Sequence, residues 1–198
     1  MLSNPTAPSV ICMRLSILPL VAAASLLLAN STKAADWTVV PEKSRLGFEG
    51  TMAGVAFKGL FLRWTARINF DPAQPGASRA TVIIDMFSAV TGDRQKDDAL
   101  PQSDWFDANT FPKAMFEAQS FRSNGGNRYE AIGTLTIRNV TKPVVIPMSI
   151  EVTGASLHAS GRLNLVRTDY GVGQGAWSSG QWVALDVVVT FEVTAQLH

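Results

Sequence analysis

His158 is the residue that first invites a catalytic reading, because an imidazole is the usual general base near neutral pH. Of the two histidines in the 198-residue chain, it is the one that lies inside a patterned segment, at the start of an alternating run. Serines and aspartates that would complete a triad exist on paper, but no Gly-x-Ser-x-Gly elbow presents a nucleophile. An isolated imidazole of this kind is more often a surface or hydrogen-bonded side chain than a base. Metal binding lacks support too, since two histidines 40 positions apart and scattered carboxylates give no ligand spacing. The run Tyr170-Gly171-Val172-Gly173-Gln174-Gly175-Ala176-Trp177 has the glycine density of a phosphate loop. It has no Lys or Ser/Thr in P-loop position and opens no helix, so a flexible hairpin loop is the simpler reading. Asn139-Val140-Thr141 matches a glycosylation acceptor, a pattern short enough to arise by chance. The expectation is a protein that is not an enzyme and carries no metal or resident cofactor.

The N-terminus narrows the compartment. Ile17 to Ala29 is apolar apart from Ser25, Arg14 precedes it, and Thr32-Lys33-Ala34-Ala35 offers small residues for cleavage. Such a run falls short of the roughly 20 residues a membrane-spanning helix needs. Residues 1–34 are therefore read as a cleavable signal peptide, with translation starting at Met1 or Met13, and 35–198 as one domain exported from the cytoplasm. Cleavage takes Arg14 and Lys33 and leaves 15 basic against 16 acidic side chains, with no charge run. A nucleic-acid surface is not expected. Cys12, the single cysteine, goes with the leader, which removes disulfides, thiol nucleophiles and cysteine-ligated metal from the mature chain.

Chemistry being scarce, the aromatic residues carry the information. From Trp37 onward the chain breaks into short alternating segments separated by Gly, Pro, Asn and Asp. The clearest runs are Val183 to Val193 and Tyr129 to Ile137, with Arg79–Phe87, Ala114–Phe121 and His158–Val166 behaving similarly. In 57–70, Phe57, Gly59 and Phe61 are out of phase with Trp64, Ala66, Ile68 and Phe70. A β-bulge between Phe61 and Trp64 would bring both sets onto one face. Residues 91–112 read as a long crossover with two short helical turns, one capped by Asp93 over Arg94–Leu100 and one by Ser103 through Asp107. The crossover brings Trp105, Phe106 and Phe111 onto the barrel. Eight to ten strands result, enough to close an antiparallel barrel and abolish its edges.

The inward faces then hold Phe48, Phe57, Phe61, Trp64, Phe70, Phe87, Phe116, Tyr170, Trp177 and Phe191. A barrel of this size is either filled by its side chains or holds one small ligand. Small residues at presumed inward positions (Ala66, Ala80, Gly133, Ala159, Gly161) favour space inside, with the 91–112 and 171–175 segments as covers. Both readings stand on pattern alone.

The run Gly133-Thr134-Leu135-Thr136-Ile137-Arg138-Asn139-Val140-Thr141-Lys142-Pro143-Val144 resembles the signature of the YceI-like family of periplasmic polyisoprenoid-binding proteins. Gly59-Leu60-Phe61, Ile68-Asn69-Phe70-Asp71, Ser103-Asp104-Trp105-Phe106-Asp107 with Phe111-Pro112 and Phe116, and Arg167-Thr168-Asp169-Tyr170-Gly171-Val172-Gly173 agree in order and spacing. The match runs from about Asp36 to Gln196. Lys43-Ser44 and Ala99-Leu100 depart from it, standing where many relatives have His-Ser and His-Leu.

The resemblance implies an all-β fold: a lipocalin-like antiparallel barrel of about eight strands with a short helical crossover and an apolar tunnel. It implies an isoprenoid lipid or quinone as ligand, such as a polyprenyl phosphate or ubiquinone. The expected tunnel residues are Phe48, Phe57, Phe61, Trp64, Phe70, Phe87, Trp105, Phe116, Ile137, Tyr170 and Trp177, with Arg94, Arg138 and Arg167 as candidates for the polar head. The version of the last block here is similar to the branch associated with b561-type membrane cytochromes, which makes such a cytochrome a candidate partner. A homodimer is a further candidate assembly. The competing functions are a quinone-bound redox accessory and a ligand-free stress or interaction protein with a filled core.

Overall fold

Tight polar turns between alternating segments leave most strands paired with the next one along the chain. The computed structural model describes Met1 and residues 35–198; the expected leader, residues 1–34, otherwise lies outside the described residues. The strands are β1 (Ala35–Val39), β2 (Arg45–Met52), β3 (Val55–Phe61), β4 (Trp64–Phe70), β5 (Arg79–Asp85) and β6 (Ala89–Val90). They continue as β7 (Lys113–Ser123), β8 (Arg128–Ile137), β9 (Val140–Thr153), β10 (Ser156–Val166) and β11 (Asp186–Leu197). β1 pairs with both β4 and β11, so β1, β4, β5, β7, β8, β9, β10 and β11 close an eight-stranded antiparallel barrel. Closure gives every stave of that ring a partner on both sides, with unpaired stretches between the first two staves and between β9 and β10.

β2, β3 and β6 are continuations of broken staves rather than extra members of the ring. β1 runs into β2 through the 3-10 turn Pro41–Lys43, β3 into β4 through Leu62 and Arg63, and β5 into β6 through the 3-10 turn Met86–Ser88. Proline at the first position of Pro41–Lys43 removes a ladder donor, which favours the break there. Phe61 and Trp64 do face the same side, as a bulge between them requires. The interruption takes the form of two residues outside the ladder, and β4–β5 and β3–β6 are offset in register.

Turn chemistry matches the local backbone. Ala53 and Gly54 adopt φ of 50° and 79° between β2 and β3, and Arg138 and Asn139 adopt 49° and 61° between β8 and β9. Two consecutive positive φ values are those of a type I′ hairpin, whose twist suits flanking strands. The expected first helical turn is α1 (Arg94–Ala99), capped by the Asp93 carboxylate, which accepts from the Gln95 and Lys96 amides. The second expected helical turn is absent. Asp107 has φ of 48°, which cannot continue a right-handed helix, and residues 101–111 form separate hydrogen-bonded turns instead.

The core divides along the barrel. At one end Trp37, Phe70, Phe121, Tyr129 and Leu157 form a packed plug. Phe70 stands edge-on to Phe121 at 5.3 Å and to Tyr129 at 5.4 Å, and the Trp37 indole donates to the Phe70 carbonyl at 3.0 Å. At the other end Leu135, Tyr170 and Val172 pack with Trp105 and Phe106, under the 91–112 and 167–185 segments.

Candidate ligand cavity

Between plug and cover the barrel holds a cavity of about 220 Å³. Alternate residues point into it from each stave: Leu46 and Phe48; Phe57 and Phe61; Trp64, Ala66 and Ile68; Val82, Ile84 and Met86. Phe116, Leu135, Ile137, Leu163, Val187, Val189 and Phe191 complete the opposite side, and Leu100, Trp105, Phe106 and Val172 the cover. Water needs polar partners to occupy a cavity, and this lining offers almost none. An apolar chain is the occupant such a site favours.

Three rings keep the space open. Phe48 pairs across the ladder with Gly59, Phe57 with Gly50, and Phe191 with Gly161. A Cβ on these glycines would stand 2.2 Å from the Phe48 ring, 2.8 Å from Phe57 and 2.5 Å from Phe191. Each ring therefore lies over its glycine instead of standing into the lumen. Gly161 thus creates no empty space of its own, contrary to the sequence expectation. Neither does Gly133: its Cβ would meet the Glu117 carbonyl oxygen at 1.9 Å, where the β7 bulge at Gln119 pushes backbone toward it. Ala66, Ala80 and Ala159 do line the cavity.

Two arginines hold the cover. Arg167 is 4 % exposed. Its Nε donates to Ala184 O at 2.9 Å, Nη1 to Val172 O at 2.8 Å and Gly173 O at 3.1 Å, and Nη2 to Val183 O at 2.8 Å and to Trp177 O. All five N–H groups are thereby used on backbone carbonyls. The guanidinium also sits over the Trp105 ring at 5.4 Å. Burial lowers its pKa from the ordinary arginine value. Arg138 donates to the carbonyls of Ser103 (2.6 Å) and Trp105, and lies 5.7 Å from the Phe111 ring centre. It ties the crossover to the β8–β9 turn.

Residues 37–195 match the YceI-like domain. The chain belongs to the YceI-like family. A UPF0312 protein of Pseudomonas syringae pv. tomato is 29% identical over 188 residues, covering 89% of this chain and 95% of that protein. Among solved structures, Burkholderia cenocepacia BcnA superposes with a TM-score of 0.77 at 32% identity, over 80% of this chain and 99% of that one. A polyisoprenoid binding domain from Saccharophagus degradans gives 0.64 at 14% identity, over 84% and 99%, a likeness of fold.

Measured against this YceI-like barrel, most of the expected tunnel residues reach the lumen. Phe48, Phe57, Phe61, Trp64, Phe70, Trp105, Phe116, Ile137 and Tyr170 all line it. Phe87 does not: it is 48 % exposed. Asp85 caps the turn Met86–Ser88 by accepting from the Phe87 amide, and Met86 takes the inward position in phase with Ala80, Val82 and Ile84. Trp177 stands behind the lining, 5.6 Å from Trp105. Among the head-group candidates, Arg94 is 95 % exposed in its side chain and sits near Asp98. Arg167 has no N–H left for a ligand, and Arg138 is engaged by the crossover. Leu100 and Val172 come from turns where strand periodicity gives no signal, whereas the period-two series Ala80, Val82, Ile84 points to Met86 as the inward residue. His158 is exposed on the outer wall beside Thr194 Oγ1 at 3.4 Å. Among the described residues no group of His, Cys, Asp or Glu is spaced to hold a metal ion, and no helix is long and apolar enough to cross a membrane.

Proposed function

We propose that this YceI-like protein binds a long isoprenoid amphiphile in its barrel and carries it through an aqueous compartment, the periplasm. The observation that carries this reading is a closed barrel whose interior is a cavity of about 220 Å³ with a nearly all-carbon lining. Each methylene moved from water to such a site is worth about 0.8 kcal/mol, so a prenyl tail supplies ample binding energy without any chemistry. The Saccharophagus degradans domain that shares the fold is described as polyisoprenoid-binding, which supports the same ligand class.

The polar end of the ligand belongs near the cover. Tyr170 lines the cavity there, is 3 % exposed, and its hydroxyl makes no hydrogen bond among the described residues. Burial, and then the neighbouring Asp169 carboxylate, raise its pKa, so it meets the ligand as a neutral donor. Mass spectrometry of lipids co-purified from the native host tests the proposal. A single isoprenoid class at near-stoichiometric amount is expected. A ubiquinone would point to redox exchange with a membrane cytochrome, and a polyprenyl phosphate to simple carriage. A lipid-free protein that also takes up neither compound when they are added would overturn the reading.

A further inference from the structure

Among the described residues the wall opens in two places: β9 and β10 part beyond Gly161↔Met148, and a second split, between the first two staves, lies under an outer groove. The ladder between the first two staves stops at Trp37↔Ile68 and resumes at Gly47↔Leu60. Between those points Thr38–Leu46 and Phe61–Arg67 face each other with no ladder pair. The excursion of Pro41–Lys43 causes this, because it turns the first stave toward β11: Val40 donates to Thr194 O at 2.8 Å, and Ser44 Oγ accepts from the Thr194 amide. Outside the split lies a groove of about 660 Å³. Leu46, Phe61, Trp64, Ala66 and Ile68 line both this groove and the inner cavity. Here side chains alone separate lumen from solvent.

Both barrel ends are better sealed. The plug is interlocked aromatics, and the cover is tied by Arg138 and Arg167 to at least seven backbone carbonyls. Passage through either end must break hydrogen bonds or repack rings. Passage through the split needs rotation of Leu46, Phe61 and Trp64, with Phe61 leaving its ring contacts to Phe48 and Phe106, but no ladder bond is lost. The rim also has a distinct chemistry. Leu60 and Leu62 are exposed beside it, and the exposed Arg45 and Arg67 make no ion pair among the described residues, although Asp36 shares the lining and Glu192 lies across the ladder from Arg45. Apolar side chains flanked by free cations suit contact with an anionic lipid surface.

We propose that the split between β1/β2 and β3/β4 is the door through which the isoprenoid chain passes sideways between an anionic lipid surface and the lumen. This rests on the ligand reading above and specifies its route.

The full chain with Cys12→Ser carries either Thr65→Cys, in the groove, or Gln102→Cys, on the cover, each coupled to a bulky maleimide. Radiolabelled decaprenyl phosphate is offered from phosphatidylglycerol/phosphatidylcholine vesicles, which are then removed by sedimentation. The Thr65 adduct is expected to slow transfer tenfold or more without changing the amount bound at equilibrium, and the Gln102 adduct to leave the rate within twofold. A rate unaffected at Thr65, or slowed at Gln102 instead, overturns the door while leaving the ligand reading intact. Absence of equilibrium binding by the unlabelled protein, with lipid added from ethanol, overturns both. The exposed double variant Arg45→Glu/Arg67→Glu is expected to slow transfer from phosphatidylglycerol-containing vesicles at least tenfold and to leave pure phosphatidylcholine unaffected. Equal rates from the anionic vesicles would overturn the role of the anionic surface.

Discussion

The Phe48 ring covers Gly59, its cross-strand partner, so closely that a methyl group there would stand 2.2 Å from the ring. Gly59→Ala is therefore expected to turn Phe48 into the lumen. Overpacking of this sort costs about 1–3 kcal/mol and lowers the melting temperature, and lipid affinity should fall with it. The double variant Gly59→Ala/Phe48→Leu should recover much of both. Thermal melts and equilibrium lipid binding on the pair check the coupling; two additive losses would refute it.

A cavity and a filled core respond oppositely to an enlarged lining residue. Val82→Phe, on the intact β5 ladder, is expected to leave the unliganded melting temperature nearly unchanged and to reduce affinity for a decaprenyl lipid at least tenfold. Were the lumen filled, the same change would cost about 1–3 kcal/mol in the unliganded protein. Melts with and without lipid separate the outcomes.

Arg167→Met keeps the volume of the side chain but orphans five carbonyl acceptors. Each buried acceptor left unpaired costs about 1–3 kcal/mol, with some regaining water as the loop loosens. A net loss on the order of 3 kcal/mol is expected. Limited proteolysis should then cut within residues 171–184 faster than in the unchanged protein.

Tyr170→Phe removes one hydroxyl and little volume. Affinity for a prenyl phosphate or ubiquinone should fall several-fold, in keeping with about 0.5–1.5 kcal/mol for one hydrogen bond. Binding of a hydrocarbon without a polar head should not change. Parallel titrations with the two ligand types give the comparison.

Acid should loosen the start of the crossover before the barrel. The Thr91 hydroxyl, then the Thr91 and Gly92 amides, hold the Asp97 carboxyl below its usual range, and the Lys96 ammonium does the same for Asp93. A depressed folded pKa favours folding above the ordinary aspartate value of about 3.9 and loses that contribution as pH falls through the lowered value. Protection factors, exchange corrected for its intrinsic pH dependence, should fall at Thr91, Gly92, Gln95 and Lys96 below about pH 4, ahead of those of β8 amides. Asp97→Asn should bring the same loss of protection at Thr91 and Gly92 at neutral pH.

Period-two alternation made the staves and most of the lining legible, because a strand's inward face is visible in its own residues. Phe48, Trp64 and Phe116 were found that way. Phe87 misled because a 3-10 turn, not the strand, decides where it points, although its odd number is already out of phase with Val82 and Ile84. Arg167 looked like a head-group ligand because charge in an apolar barrel suggests an ionic partner. Its actual acceptors are carbonyls of residues 172–184, which no residue type reveals. The Phe–Gly pairs needed register, and register between strands is not written in either strand alone.

β11 pairs along one side with both β1 and β2, so the first stave finds its partner in the last residues of the chain. Neighbouring staves can zip as local hairpins, but ring closure joins positions such as Trp37 and Leu197 across nearly the whole domain. Such distant contacts carry the largest loop-closure entropy and form late. The interior is therefore expected to form last. Until β11 arrives, every apolar lining residue faces water on an open, curling sheet, and an isoprenoid present at that stage would be wrapped as the barrel closes rather than threaded into it afterwards.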